Sequence, residues 1–131
     1  MTERPLSPHL TVYRMYRYTL LTSIVNRATG LVLSAGLILL VYWLVAIASG
    51  PAAYRGAREV LSLDLLKAVY ALLLATFSYH LIAGIRHLVW DTGHGLERAQ
   101  SQRSAWLVAI AGTLLFVGLT WWALHAGARA P

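Results

Sequence analysis

The chain has 131 residues, of which 58% are hydrophobic and only 12% are charged, and it contains no cysteine. This composition lies outside the range of ordinary soluble domains, and the missing cysteines exclude disulfides, thiolate metal sites and iron–sulfur clusters carried by this chain. The formal net charge of +6 is compatible with a nucleic-acid partner, but in so apolar a chain it indicates contact with anionic lipid head groups instead.

The N-terminal 27 residues are polar and carry four arginines together with Pro5 and Pro8. They lack the apolar core and cleavage site of a secretory signal peptide, so we expect the first membrane helix itself to direct insertion. Tyr13, Tyr16 and Tyr18 alternate with arginines, which favours a segment lying at the membrane surface. A frayed basic tail is the alternative.

Ser23 and Arg27 come directly before the first apolar run and share a face if this part of the chain is helical. A hydroxyl beside a fixed cation suits a polar head group such as a quinone carbonyl: the hydroxyl can hydrogen-bond the oxygen, and the guanidinium can stabilise negative charge developing on it. The alternative is that Ser23 caps a helix and Arg27 faces lipid head groups.

The first predicted span covers residues 28–49. Gly30 and Ser34 have the small-xxx-small spacing that allows close helix contact. Ser49-Gly50-Pro51 ends the span, and we expect residues 50–64 to form a short outer loop.

The second predicted span, residues 64–89, contains an apolar run from Ala68 to Ile85 in which His80 is the only residue that ionises near neutral pH. His80 precedes Arg86 by six residues, which places it about 9 Å deeper on a helix that rises 1.5 Å per residue. A polar side chain at that depth needs a partner. On a helix, His80, Gly84, His87 and Asp91 fall on one face.

This face leaves two interpretations of His80 open. A neutral imidazole is a good iron ligand, and Gly84, one turn away, would leave room for a flat group such as haem. Alternatively, His80 is a buried histidine hydrogen-bonded to a neighbouring helix.

The third predicted span, residues 104–126, follows an inner loop broken by Gly93 and Gly95. Gly112 and Gly118 suit helix packing, and His125 lies near the outer end, where we expect it to be interfacial. With three spans long enough to cross a bilayer, the fold class predicted for residues 1–131 is a single-domain, all-α integral membrane protein with three transmembrane helices and an N-terminal interfacial segment.

Orientation follows from the positive charges. Seven lie on the predicted inner side and four on the outer side, the inner ones being Arg4, Arg14, Arg17, Arg27, Arg86, Arg98 and Arg103 and the outer ones Arg55, Arg58, Lys67 and Arg129. This bias places the N-terminus inside. The Ser23–Arg27 pair and His80 then lie near the same membrane surface.

Three sequence blocks resemble a known family. They are Arg4-Pro5-Leu6-Ser7-Pro8-His9-Leu10 with Tyr13-Arg14, then Ser23-Ile24-x-x-Arg27-x-Thr29-Gly30, and then His80-x-x-x-Gly84-Ile85-Arg86-His87-Leu88-x-Trp90-Asp91-x-Gly93. With the three-span layout, they resemble the large cytochrome b membrane-anchor subunits of succinate dehydrogenase (succinate:quinone oxidoreductase, respiratory Complex II).

The resemblance implies roles for individual residues. His80 would be an axial ligand of a haem b, with the second ligand supplied by the small membrane-anchor subunit. Ser23 and Arg27 would belong to the ubiquinone site, and Arg27 could also reach a haem propionate. His87 and Asp91 are candidates for propionate contact or proton delivery, with a structural salt bridge as the alternative.

The resemblance also implies an assembly. The chain would fix the iron–sulfur and flavoprotein subunits to the inner face of a bacterial cytoplasmic or mitochondrial inner membrane, with quinone and lipid as further partners and no nucleic acid. It would have no succinate-oxidising activity alone. Some relatives carry histidine before the site arginine, where this chain has Asn26, which leaves a propionate contact there in doubt. A haem-less anchor, a fumarate reductase anchor and a membrane protein such as a transporter subunit are the alternatives.

Overall fold

The computed structural model describes residues 17–127, which form four α-helices. They are α1 (Arg17–Ala48), α2 (Pro51–Leu61), α3 (Asp64–Asp91) and α4 (Arg98–Gly127). Three of them, α1, α3 and α4, are long and apolar enough to cross a membrane. The prediction of an all-α fold with three spanning helices is confirmed, whereas most of the predicted N-terminal interfacial segment lies outside the described residues.

Helix α1 begins well before the predicted first span. Because it begins at Arg17, Ser23 lies inside the helix, and the interpretation of Ser23 as a helix cap is wrong. A cap satisfies backbone N–H groups left unpaired at the first turn, and Ser23 is more than one turn beyond it. Residues 18–29 contain no proline or glycine that would end the helix.

The loop expected over residues 50–64 was also wrong, because helix α2 occupies most of it. Gly50 makes the turn with φ 99°, and Pro51 then occupies the start of the helix, where its missing N–H costs nothing and its fixed φ is suitable. The helix is amphipathic: Ala57 is buried, whereas Arg55 and Arg58 are exposed.

Small residues make the closest contacts between the long helices. Helix α3 packs against both α1 and α4, and Ser78 on α3 is fully buried. A Cβ added to Gly112 would lie 3.2 Å from Tyr79 Cα, so α4 approaches the α3 backbone directly. A Cβ added to Gly118 would meet no atom within 4 Å among residues 17–127, so Gly118 does not share this role.

Large apolar side chains point outward instead. Leu31 and Leu65, for example, are 74% and 77% exposed. This distribution is typical of membrane helices, because lipid tails are as apolar as leucine and close backbone contact requires small residues. The outward faces are therefore suited to lipid or to further membrane helices.

Candidate functional site

His80 lies where α3 packs against α1. The ring is half-buried, and Nδ1 lies 3.0 Å from the Thr29 hydroxyl oxygen. A Cβ added to Gly30 would lie 3.2 Å from His80 Cε1, so the ring edge rests against the α1 backbone. The hydrogen bond to a neighbouring helix, one of the two sequence interpretations, is therefore present, but it occupies only one of the two ring nitrogens.

Gly30 and Ser34 do not act together as their spacing suggested. Gly30 is in close contact with α3 through His80, whereas Ser34 is exposed and donates to the Gly30 carbonyl at 2.9 Å. Only the glycine contributes to the close helix contact.

The surface of α3 one turn from His80 is open. An ideal Cβ on Gly84 would meet no atom within 4 Å among the described residues. Because His80 and Gly84 share a helix face, a flat group bound to the imidazole would have room over the glycine. The described residues thus fit the expectation drawn from the spacing of these two positions.

Ser23 and Arg27 precede Thr29 and Gly30, the α1 residues that contact His80, by less than two turns. Ser23 is half-buried and Arg27 is exposed. Ser23, Arg27 and Gly30 are spaced four and three residues apart and so form one row along α1, and Gly30 is the residue against which His80 packs. The predicted head-group pair therefore lies within two turns of the α1 residues that contact the predicted ligand.

His87 and Asp91 are more exposed than His80. His87 is exposed, and its Nδ1 lies 2.8 Å from the Ala83 carbonyl, to which it donates. Its ring is tilted against Trp90 with centroids 5.2 Å apart. Asp91 is exposed at the last residue of α3, and neither side chain forms an ion pair within residues 17–127. The salt-bridge alternative gains no support from these residues.

The side chain of Asn26 is unsatisfied. Its Oδ1 is buried and has no hydrogen-bond partner among the described residues. Buried polar groups in native proteins are nearly always paired. A group from outside these residues would therefore satisfy Asn26, on the α1 turn just before Thr29.

Arg86 is the residue whose role the sequence did not reveal. Only 7% of it is exposed. Its guanidinium donates to Ser104 Oγ at 2.9 Å, to the Ser101 carbonyl at 2.9 Å and to Thr22 Oγ1 at 3.4 Å. Arg86 therefore joins α3 to both other long helices. Because Arg86 stands beside other charged residues, the sequence indicates an interfacial arginine. Its burial could have been inferred only from its place on the helix face opposite Ile85 and Leu88, which are exposed.

No group of three or more histidine, cysteine, aspartate or glutamate side chains converges within the described part of the chain. A bare metal ion would therefore lack a sufficient set of protein ligands among these residues. An iron held by His80 would need its other ligands from outside these residues.

Comparison with known proteins supports the resemblance. Residues 1–125 match the family model described as "Succinate dehydrogenase/Fumarate reductase transmembrane subunit". The succinate dehydrogenase cytochrome b556 subunit of Paracoccus denitrificans is 42% identical over 118 residues, covering 90% of this chain and 89% of that protein. The b556 subunit of Rickettsia conorii is 36% identical over 121 residues, covering 91% of each chain.

A mitochondrial relative is similar over the same share of the chain. The succinate dehydrogenase cytochrome b560 subunit of Sus scrofa is 37% identical over 123 residues, covering 90% of this chain and 70% of that protein. The three spanning helices and the family match agree. The chain is an integral membrane protein that belongs to the succinate dehydrogenase/fumarate reductase transmembrane subunit family.

Proposed function

We propose that the chain is the membrane-anchor and electron-transfer subunit of a succinate:quinone oxidoreductase. It would provide one axial ligand to a haem b shared with the small membrane-anchor subunit, and part of the ubiquinone-reduction site. It would hold the iron–sulfur and flavoprotein subunits at the inner face of a bacterial cytoplasmic or mitochondrial inner membrane, with its N-terminus inside. The names of the relatives, cytochrome b subunits of succinate dehydrogenase, support this assignment.

The observation that carries the proposal is the placement of His80. Its Nδ1 is engaged by Thr29, and its Nε2 makes no hydrogen bond within the described residues. The second nitrogen is the one a haem iron would take, and Gly84 leaves open surface one turn away. When bound, haem supplies one-electron redox chemistry at its iron. The chain's own task is to hold the imidazole in position.

Ser23 and Arg27 would act on the quinone head group. The Ser23 hydroxyl can donate to a carbonyl oxygen, and the Arg27 guanidinium can stabilise negative charge on that oxygen. Neither side chain makes a hydrogen bond or ion pair within residues 17–127, which leaves both available to a ligand. Arg27 could also pair with a haem propionate, and His87 is the second candidate for this contact.

A redox-difference spectrum of the purified complex tests the ligand. His80→Ala should lose the b-type signal of the wild-type complex, whereas His125→Ala should keep it. His125 is a suitable control because it lies near the end of α4 and its Nδ1 donates to the Trp121 carbonyl at 2.7 Å. An unchanged b-type signal in His80→Ala would remove the ligand assignment, whereas absence of a b-type signal from the wild-type complex would favour a haem-less anchor.

The direction of the reaction is a separate question, since the matching family model covers fumarate reductase as well. The relatives named above are succinate dehydrogenase subunits, which favours succinate oxidation. The rates of succinate oxidation by quinone and of fumarate reduction by quinol, measured in the same complex, decide between the two directions. Faster fumarate reduction would contradict the proposed direction.

A further inference from the structure

The Thr29 hydroxyl oxygen makes two short polar contacts. It lies 2.9 Å from the Asn26 carbonyl oxygen and 3.0 Å from His80 Nδ1. A hydroxyl has one proton to donate, and a carbonyl oxygen can only accept. The proton therefore points to Asn26, because two acceptors at 2.9 Å without a proton between them would repel each other.

This assignment decides the tautomer of His80. With its own proton directed to Asn26, Thr29 can only accept from the imidazole, so Nδ1 carries the ring proton. In a neutral imidazole the lone pair is then on Nε2. A Cβ added to Gly30 would lie 3.2 Å from His80 Cε1, and this close approach of the two helices restricts rotation of the ring.

We infer that Thr29 is a positioning residue that holds His80 in the Nδ1-protonated form, with Nε2 directed to the iron. The inference rests on the proposed function. Thr29 acts through His80 and need not touch the haem. Partners of this kind orient a metal-binding histidine and increase the basicity of the nitrogen that binds the metal. Because the Thr29 hydroxyl donates its proton to the Asn26 carbonyl within α1, it can act only as an acceptor towards the His80 ring.

The test measures the haem midpoint potential and the low-temperature electron paramagnetic resonance spectrum of the purified complex. Thr29→Val keeps the shape of the side chain and removes the acceptor. Less electron donation from Nε2 favours ferrous over ferric iron, so we expect a more positive potential, altered g-values and lower haem content. Metal affinity typically falls by about 10–100-fold when such a partner is lost.

Two control variants separate positioning from packing. Thr29→Ser keeps the hydroxyl and should retain the wild-type potential and g-values. Thr113→Val removes a hydroxyl on exposed α4 surface that donates to the Ala109 carbonyl at 2.8 Å and forms no hydrogen bond with His80. It should change neither the potential nor the g-values. Where Thr29→Val prevents assembly, Thr29→Ala removes the same acceptor, and its potential and g-values decide.

An unchanged potential and spectrum in the assembled variant that lacks the hydroxyl would overturn the inference. So would an equal change in Thr29→Ser, since that result would show that the threonine methyl matters rather than the acceptor. Failure of the proposed function is distinguishable, because it appears as a normal haem spectrum in His80→Ala. Loss of haem in His80→Ala with no effect of Thr29→Val would leave the ligand standing and remove only the positioning role.

Discussion

The guanidinium carbon of Arg86 lies 4.0 Å from the centroid of the Trp90 ring. Trp90 in turn donates from Nε1 to the Gly95 carbonyl at 3.0 Å. One arginine thus connects the end of α3 to the α3–α4 loop by stacking, while its hydrogen bonds extend to α1 and α4. No carboxylate accepts from Arg86 within the described residues, so hydroxyls, a carbonyl and an indole satisfy this buried cation.

Replacing Arg86 should destabilise the protein. Arg86→Met removes the charged hydrogen bonds and leaves the Ser101 carbonyl without this donor, at an expected cost of roughly 2 kcal/mol. Arg86→Lys should also be destabilising, because an ammonium cannot reproduce the planar fork that contacts two helices and stacks on an indole. The thermal unfolding midpoint of the purified complex measures both variants.

Arg103→Lys is the matched control for Arg86→Lys. Arg103 lies near the start of α4 and is exposed, so the same substitution should leave the midpoint unchanged. Equal midpoints for the wild type and Arg86→Lys would contradict the role assigned to the guanidinium.

Gly112→Ala should weaken the contact between α3 and α4. Its Cβ would lie 3.2 Å from Tyr79 Cα and 3.6 Å from the Ser78 carbonyl oxygen, and backbone atoms cannot move aside as a flexible side chain can. We expect a loss of about 1–3 kcal/mol, the usual cost of overpacking a tight contact. Gly118→Ala lies on the same helix in open space and should gain up to about 1 kcal/mol of helix propensity. Thermal unfolding in detergent compares the two, and the reverse order would refute the contact.

Gly84→Leu should expel the haem without destabilising the chain itself. A Cβ at this position meets nothing within 4 Å among the described residues, so the helix bundle can accommodate a side chain there. We expect the haem-to-protein ratio to fall several-fold because the leucine occupies the space proposed for the haem. Gly56→Leu on exposed α2, where a Cβ is equally unobstructed, should leave the ratio at the wild-type value. Full haem content in Gly84→Leu would show that the haem does not use this face.

Substitution of the head-group pair should separate two activities. Arg27→Ala and Ser23→Ala should each lower quinone reduction by about 10²–10³-fold, because this is the usual effect of removing one donor to a developing oxyanion. Succinate oxidation with an artificial dye should persist, since the dye bypasses this site.

The controls for the head-group pair come from the same chain. Ser34→Ala on exposed α1 surface and Arg55→Ala on α2 make the same chemical changes outside the proposed site and should affect neither activity. Normal quinone reduction in both Ser23→Ala and Arg27→Ala would exclude the pair from the site.

Much of the architecture was predictable because it depends on local physics. Long uncharged runs form membrane helices wherever they occur, since backbone groups in a bilayer have no other partners. The position of His80 within such a run, and of Gly84 one turn away, follows from helical spacing. The sequence does not reveal helix α2, because Ser49-Gly50-Pro51 ends the preceding span, although proline at a first helical position also favours a new helix.

The amino-acid sequence by itself determined the membrane class, the three spanning helices and a histidine placed deep in one of them, because each follows from the composition of a single segment. Only the tertiary structure decided that Thr29 contacts that histidine and that Arg86 is buried. Thr29 and His80 are more than fifty positions apart in the chain. Both contacts depend on which helix faces meet. The meeting of faces is set by the close approach of glycines on α1 and α4 to α3, which the order of residues within any one helix does not specify.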